Sequence, residues 1–310
     1  MRLVFFGTPD FAVPSLRALV GEGFDLAAVV TQPDRPRGRT RSTLFPPPVK
    51  EAAQAEGIPV LQPENPNAPT FLAELREYEP SVGIVAAYGH ILRSELLALP
   101  ERGMVNVHAS LLPALRGAAP IPHTILGGLD ETGVTIMQMD AGVDTGPILH
   151  QVPTPVATDE TAGELEARLA ELGALALIEA LALLEAGALT PRPQDDHLAT
   201  TAPKLAPERS RIDWTERTVQ VGRLIRALDP RPGAWTELAG RRIKVFGPRQ
   251  AGAAPPDTPP GTIIETDPAL LVVTGDGLVQ LLDVLPEGKS RLAASDWIRG
   301  RGAHPGDRFV

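Results

Sequence analysis

The sequence contains no cysteine, which excludes disulfides, a thiolate nucleophile and any cysteine metal site. Aromatic residues make up only 4% of the chain. Lysine is scarce: 25 of the 29 basic residues are arginine, a skew that coding bias explains more cheaply than function. Long apolar runs are missing too. The run before Gly7 is too short for a signal peptide or a membrane span, and Glu179 interrupts the apolar stretch within 172–184. The chain therefore reads as soluble and cytoplasmic. Several catalytic signatures are absent as well. Gly7-Thr8-Pro9 lacks the spacing of a dinucleotide fingerprint or a P-loop, no serine sits in G-x-S-x-G, and no H-E-x-x-H or carboxylate cluster suggests a metal.

What is present is a chain of 310 residues, 43% hydrophobic, near the length at which chains divide into two domains. The 29 glycines and 33 prolines suit many turns between short elements. The net charge of −9 is uneven. Residues 1–204 carry 14 basic against 25 acidic residues, whereas residues 205–310 carry 15 against 13. Positive charge also gathers in Arg35–Arg41, so a polyanion can be gripped locally although the whole molecule is acidic.

Periodicity predicts an α/β start. Apolar strands at 2–7, 26–31, 81–88 and 104–110 alternate with helices at 14–20, 46–57, 68–78 and 94–99. That spacing makes a mostly parallel, doubly wound, Rossmann-like sheet. A helix over 118–126, a strand pair at 134–140 and 148–154, and one long helix over 159–185 follow. The expected domains are 1–188, a proline-punctuated linker at 189–205, and 206–310. The last part combines a helix at 216–228 with short strands separated by turns, as in a small β-barrel.

Asn106 and His108 alternate with Val105 and Val107, which puts them on one side of a strand end. In an open parallel sheet that edge is where ligands bind, although the pair also fits ordinary strand-end hydrogen bonding. Asp144 lies in a glycine-rich loop, VDTG, able to converge on the same crevice or simply to make a turn. Together the three suit acyl transfer to an amine without a covalent intermediate. Asn106 can donate to an oxygen that becomes negative, His108 can stabilise that charge or handle a proton, and Asp144 can orient the imidazole or take a proton from an ammonium. His90 either lines the pocket or caps a loop. Arg35, Arg37, Arg39 and Arg41 lie on a Pro/Gly/Thr-spaced segment that suits a phosphate clamp or a solvated loop. In the second part Arg209, Arg241 and Lys244 belong to a weaker basic surface.

The segments NVHASLLPALRGAAPI (106–121) and DAGVDTGPIL (140–149) resemble the methionyl-tRNA formyltransferases, within the formyltetrahydrofolate-dependent transferases. VFFGTPDFAVPSLRAL (4–19), QPDRPRGR (32–39), RIDW (211–214) and IRALDPRPGAW (225–235) extend the resemblance over nearly the whole chain. It implies a Rossmann-like catalytic domain followed by an OB-like domain that helps hold tRNA; the sequence does not fix the oligomeric state, and a monomer is the expectation. It also implies 10-formyltetrahydrofolate as donor and initiator methionyl-tRNA as acceptor. By motif it makes Asn106, His108 and Asp144 catalytic. It places Tyr88, Gly89, His90, Ile91, Ser110, Leu111, Leu112, Pro113, Asp140 and Val143 around the folate, and Arg35, Arg37, Arg39, Arg41, Lys204, Arg209, Arg241 and Lys244 against tRNA. Ala114 and Leu115 stand where the family carries a basic and an aromatic residue, and Thr201 where it carries an aromatic. The trio alone also fits a formyltransferase acting on a small amine, or a hydrolase of the donor. An RNA-binding module without chemistry is the remaining alternative.

Overall fold

The computed structural model describes residues 1–36, 43–265 and 269–310. In chain order the first elements are β1 (Arg2–Gly7), α1 (Val13–Gly21), β2 (Asp25–Val30), the two-residue strands β3 (Arg35–Pro36) and β4 (Leu44–Phe45), α2 (Pro48–Ala55), β5 (Val60–Leu61) and α3 (Pro69–Arg76). Next come β6 (Val82–Ala86), α4 (Ser94–Leu97), β7 (Met104–His108), α5 (Pro120–Gly127), β8 (Glu131–Gln138), β9 (Ile148–Pro155) and α6 (Ala162–Glu185). Then follow α7 (Thr218–Ala227), β10 (Ala234–Leu238), β11 (Arg241–Gln250), β12 (Ile263–Glu265), β13 (Leu270–Val273), β14 (Leu278–Pro286), β15 (Leu292–Ala293) and α8 (Ala294–Arg299). Proline opens α1, α2, α3 and α5 within their first two positions, where its missing N–H costs no helical hydrogen bond.

These elements form two compact units. The first comprises 1–118, 131–155 and 166–202, the second 119–130, 156–165 and 203–310. The division is therefore not one cut in the chain. Segments 119–130 and 156–165, expected within 1–188, group with the second unit because α5 packs on α7 and Gly163 donates its N–H to Asp229 O at 3.0 Å. His123 Nε2 also bonds Pro203 O at 3.0 Å.

The first unit is built on a seven-stranded sheet ordered β5-β2-β1-β6-β7-β8-β9. The five strands from β5 to β7 run parallel, and β8 and β9 continue antiparallel. Strand order reverses between β1 and β6, so the crevice beyond their carboxyl ends is the natural ligand position. β1 and β6 are buried almost throughout, as strands covered on both faces must be. Val4, Phe6, Val30, Phe71, Leu75, Tyr88, Leu96 and Met104 form one core cluster.

The second unit is OB-like. Its antiparallel sheet, ordered β10-β11-β14-β13-β12 with β15 on β14, curls around Ile212, Trp214, Val221, Ile225, Val245, Leu281 and Phe309. Among the described residues no helix is long and apolar enough to cross a membrane.

Candidate active site

β7 carries the first two candidates. Its pairing with β6 ends at Val85↔Asn106, and β8 flanks it through Asn106↔Met137 and His108↔Thr135. Asn106 is half-buried, and its side-chain amide makes no hydrogen bond to the described residues. Its donors are therefore available to a ligand. His108 is buried, with 5% of its surface exposed. Its Nε2 lies 3.1 Å from Leu115 O. A carbonyl only accepts, so Nε2 carries the hydrogen and the neutral ring presents a bare lone pair at Nδ1. That Nδ1 lies 3.6 Å from Asp144 Oδ2.

Asp144 stands at φ +54°, in the left-handed region. Its Oδ2 accepts the Gly117 N–H at 2.8 Å. Gly117 is required there: at φ +121° an added Cβ would fall 2.8 Å from Ala202 O. The loop before Asp144 is tied by Asp140, whose Oδ1 accepts from Gly142 N at 3.0 Å and from Thr145 Oγ1 at 2.7 Å. The structure thus brings His108 and Asp144 together at near hydrogen-bonding distance, with Asn106 two residues before His108 on the same strand.

Burial pushes the His108 imidazole below its ordinary value of 6.5, against the opposing pull of Asp144 and the Leu115 carbonyl. The unfolded chain then binds more protons than the folded one just below pH 6.5, so this group's stabilisation is full above 6.5 and lost as pH falls towards the lowered folded value. The stability gap between the wild type and His108→Gln is expected to shrink from about pH 7.5 to about pH 5 in urea unfolding. A constant gap refutes this assignment.

The residues expected around a folate fall into two groups. Tyr88 is a core residue: its ring meets Phe6 edge to face at 5.4 Å and its hydroxyl is pushed up to about 12 by burial. Its backbone carbonyl accepts from Thr8 Oγ1 and Gln32 Nε2, both at 2.9 Å. Ser110 and Leu112 are likewise buried. Ser110 Oγ donates to Ala114 O at 2.6 Å and Leu112 N donates to Thr135 Oγ1 at 3.0 Å, so both shape the loop rather than face solvent. By contrast Ile91 is 84% and Val143 67% exposed, apolar side chains held open to solvent. Gly89 and Asp140 are exposed, and Leu111 and Pro113 are half-buried. His90 Nε2 is buried without a hydrogen-bond partner among the described residues.

Of the basic candidates, Arg35, Lys204, Arg209 and Arg241 are exposed. Lys244 is committed internally, its Nζ 2.5 Å from Pro232 O. Arg37, Arg39 and Arg41 lie outside the described residues. Among the described residues before them, Asp34 is held below the usual carboxylate range by hydrogen bonds from Gln62 and Lys50. In the second unit the guanidiniums of Arg211 and Arg242 lie 5.5 and 3.9 Å from the Trp235 ring centroid. Among the described residues no group of three or more His, Asp or Glu is placed to hold a metal.

Sequence reasoning missed Gln194 and Thr200. Both lie in the stretch expected to be a surface linker. Gln194 Nε2 donates to Asp144 O at 2.8 Å and Gly146 O at 2.7 Å, and Thr200 Oγ1 accepts from Leu115 N at 2.9 Å. Arg116 donates to Gln194 Oε1 and Asp196 Oδ1. Polar residues between prolines carry no periodic signal by which they could have been found.

A doubly wound sheet and an OB-like unit make up the fold, and the matches to known families and relatives define a one-carbon transferase. Residues 1–181 match the formyl transferase family and residues 204–302 match the formyl transferase C-terminal domain. The methionyl-tRNA formyltransferase of Roseiflexus sp. (strain RS-1) is 46% identical over 310 residues, spanning 100% of this chain and 95% of that protein. The chain belongs to the methionyl-tRNA formyltransferase family. Its fold is shared with HypX from Aquifex aeolicus, solved in complex with tetrahydrofolic acid, at TM-score 0.67 and 19% identity. That match covers 96% of this chain and 47% of HypX, so the chain spans about half of HypX. The sugar 3N-formyltransferase WlaRD matches at TM-score 0.69 and 17% identity, over 94% of this chain and 99% of WlaRD.

Proposed function

We propose that this enzyme transfers the formyl group of 10-formyltetrahydrofolate to the amino group of methionine on initiator tRNA, by direct attack of the amine. The observation that carries the residue assignment is the His108–Asp144 pair at 3.6 Å, set beside the free Asn106 amide on the strand of His108. The donor supplies an activated formyl carbon. The groups offered to it suit a broad, partly apolar ligand: the open side chains of Ile91 and Val143 and the bare backbone at Gly89. A Cβ on Gly89 would lie 2.5 Å from Gln32 Nε2, so the chain takes no larger residue there without displacing that side chain.

The amide of Asn106 donates to the formyl oxygen as it gains negative charge. Methionine's ammonium must lose a proton before it attacks, and the Nδ1 lone pair of His108 is the acceptor, since Nε2 is engaged with Leu115 O. The lowered basicity of the buried ring keeps it neutral and ready near pH 7. Once protonated, the imidazolium faces the Asp144 carboxylate, which favours the charged form. The imidazolium's proton goes to N10 of the departing tetrahydrofolate as the C–N10 bond breaks, and the new amide nitrogen loses its second proton to solvent. Asp144 is itself steadied by the Gly117 N–H. Exposed arginines and lysines in both units suit the phosphate backbone of the acceptor RNA. The chain acts as a monomer and in the cytoplasm.

The deciding experiment supplies 10-formyltetrahydrofolate with initiator methionyl-tRNA, elongator methionyl-tRNA or a small amino sugar. Formylation confined to the initiator tRNA is the expected result. Consumption of the donor by water or the sugar, with no formylated tRNA, overturns the acceptor assignment while keeping the superfamily chemistry.

A further inference from the structure

We propose that Gln194 is a positioning residue for formyl transfer, locking the loop that carries Asp144 without touching substrate. The inference rests on the assignment of Asp144 to catalysis.

The Gln194 amide is fully used. Its Nε2 donates to Asp144 O at 2.8 Å and to Gly146 O at 2.7 Å, while its Oε1 accepts from Arg116 Nε at 3.0 Å and Nη2 at 2.9 Å. A guanidinium only donates and a carbonyl only accepts, so the chemistry of these neighbours dictates which way the amide points. Arg116 is itself held by Asp196 Oδ1 at 2.8 Å.

The bond to Asp144 O meets a specific need. Asp144 adopts φ +54°, a sparsely populated conformation for a non-glycine residue that persists only where neighbours enforce it. Gln194 grips the carbonyl of that residue and one two positions further on. Beyond it the loop has no slack, because a Cβ on Gly146 would fall 1.9 Å from Gln138 O. Without Gln194 the two carbonyls lose their donor, and among the described residues no other side chain takes its place.

The same segment reaches the other member of the pair. Thr200 Oγ1 accepts from Leu115 N at 2.9 Å, Thr200 O accepts from Arg116 N at 2.9 Å, and Ala202 N donates to Arg116 O at 2.7 Å. Leu115, at φ +60°, supplies the carbonyl that fixes the His108 ring. Residues 194–202 therefore form a strap that sets the orientation of both His108 and Asp144. Misplacement of a reacting group by about 1 Å costs on the order of 10²-fold in rate, which bounds the effect of releasing one end of the strap.

The test compares Gln194→Ala and Gln194→Glu with the wild type in steady-state formylation of initiator methionyl-tRNA. The carboxylate introduced by Gln194→Glu is nearly isosteric with the amide but sets an oxygen against the two carbonyls, so Q194E is expected to fail as Q194A does. Both are expected to lower kcat by about 10–100-fold while KM for tRNA and for the donor moves by less than about threefold, a split that general loss of fold does not produce. Because Gln194 acts through Asp144, adding Q194A to D144N is expected to cause no further loss. A kcat for Q194A within about twofold of wild type overturns the proposal, as does a Q194A effect that multiplies fully with D144N. If Q194A does not fold, Q194E alone decides. Turnover retained by D144N overturns the underlying assignment of Asp144, an outcome distinct from an active Q194A beside an inactive D144N.

Discussion

Replacing Asp144 by asparagine is expected to lower kcat for formyl transfer by about 10²–10⁴-fold, the range of a general acid–base partner, while initiator tRNA binds within about twofold of wild type. The substitution is nearly isosteric and keeps an oxygen to accept the Gly117 N–H. What disappears is the negative charge 3.6 Å from His108 Nδ1. At roughly that distance an ion pair is worth about 4 kcal/mol in a medium of effective dielectric near 20, and a tenfold change in rate corresponds to about 1.4 kcal/mol. The lower and middle part of the expected loss is therefore within what the charge alone can supply. Asp144 is only partly exposed, so solvent screening reduces the interaction without abolishing it. Single-turnover formylation, with RNA binding followed separately by filter retention, separates chemistry from affinity. Turnover within about threefold of wild type would sink the role given to Asp144.

Trp214→Ala is expected to destabilise the second unit by about 3–5 kcal/mol, the usual cost of removing a buried aromatic. Trp214 is 4% exposed and stacks on Phe309 with ring centroids 5.5 Å apart and planes 15° apart. Its Nε1 donates to Thr236 Oγ1 at 2.9 Å, and that hydroxyl donates in turn to Val310 O at 3.1 Å. The side chain thus joins the segment before α7, β10 and the last residue of the chain. Truncation leaves a cavity against Phe309 and removes the donor to Thr236. Urea unfolding is expected to show an early transition in the variant, with Trp214→Phe intermediate because it restores the stacking and not the hydrogen bond. Coincident unfolding curves for wild type and Trp214→Ala would show that this cluster does not govern the unit.

The elements were legible where burial imposes a period. β1, β2, β6 and β7 follow from continuous apolar runs, and α6 from the spacing of Leu165, Leu169 and Leu172. Asn106 and His108 were readable because polar residues interrupt the alternating Val105 and Val107. α8, only six residues long, and the two-residue strands β3 and β4 left no such trace, since elements so short contribute little periodic signal. The membership of α5 in the second unit was invisible for another reason: it depends on pairing with α7, far along the chain. At the site, the residue types of the trio were legible, whereas the tautomer of His108 was not. It follows from the position of Leu115 O, and that position depends on Leu115 at φ +60° and on Thr200. A bond between a side chain and a distant carbonyl has no signature in spacing.

The make-up of the second unit bears on how the chain is born. The ribosome releases α5 and residues 156–165 before any of 203–310 exists, yet these early segments are completed only by α7 and by the backbone at Asp229. They must wait, with part of their apolar surface uncovered, while the remainder is translated, and partly folded chains of this kind are prone to aggregate. Val310, far along the chain, accepts from Glu237 N and from Thr236 Oγ1. The second unit therefore closes only once the segment that carries Val310 has been made, which leaves the early segments of the nascent chain vulnerable until then.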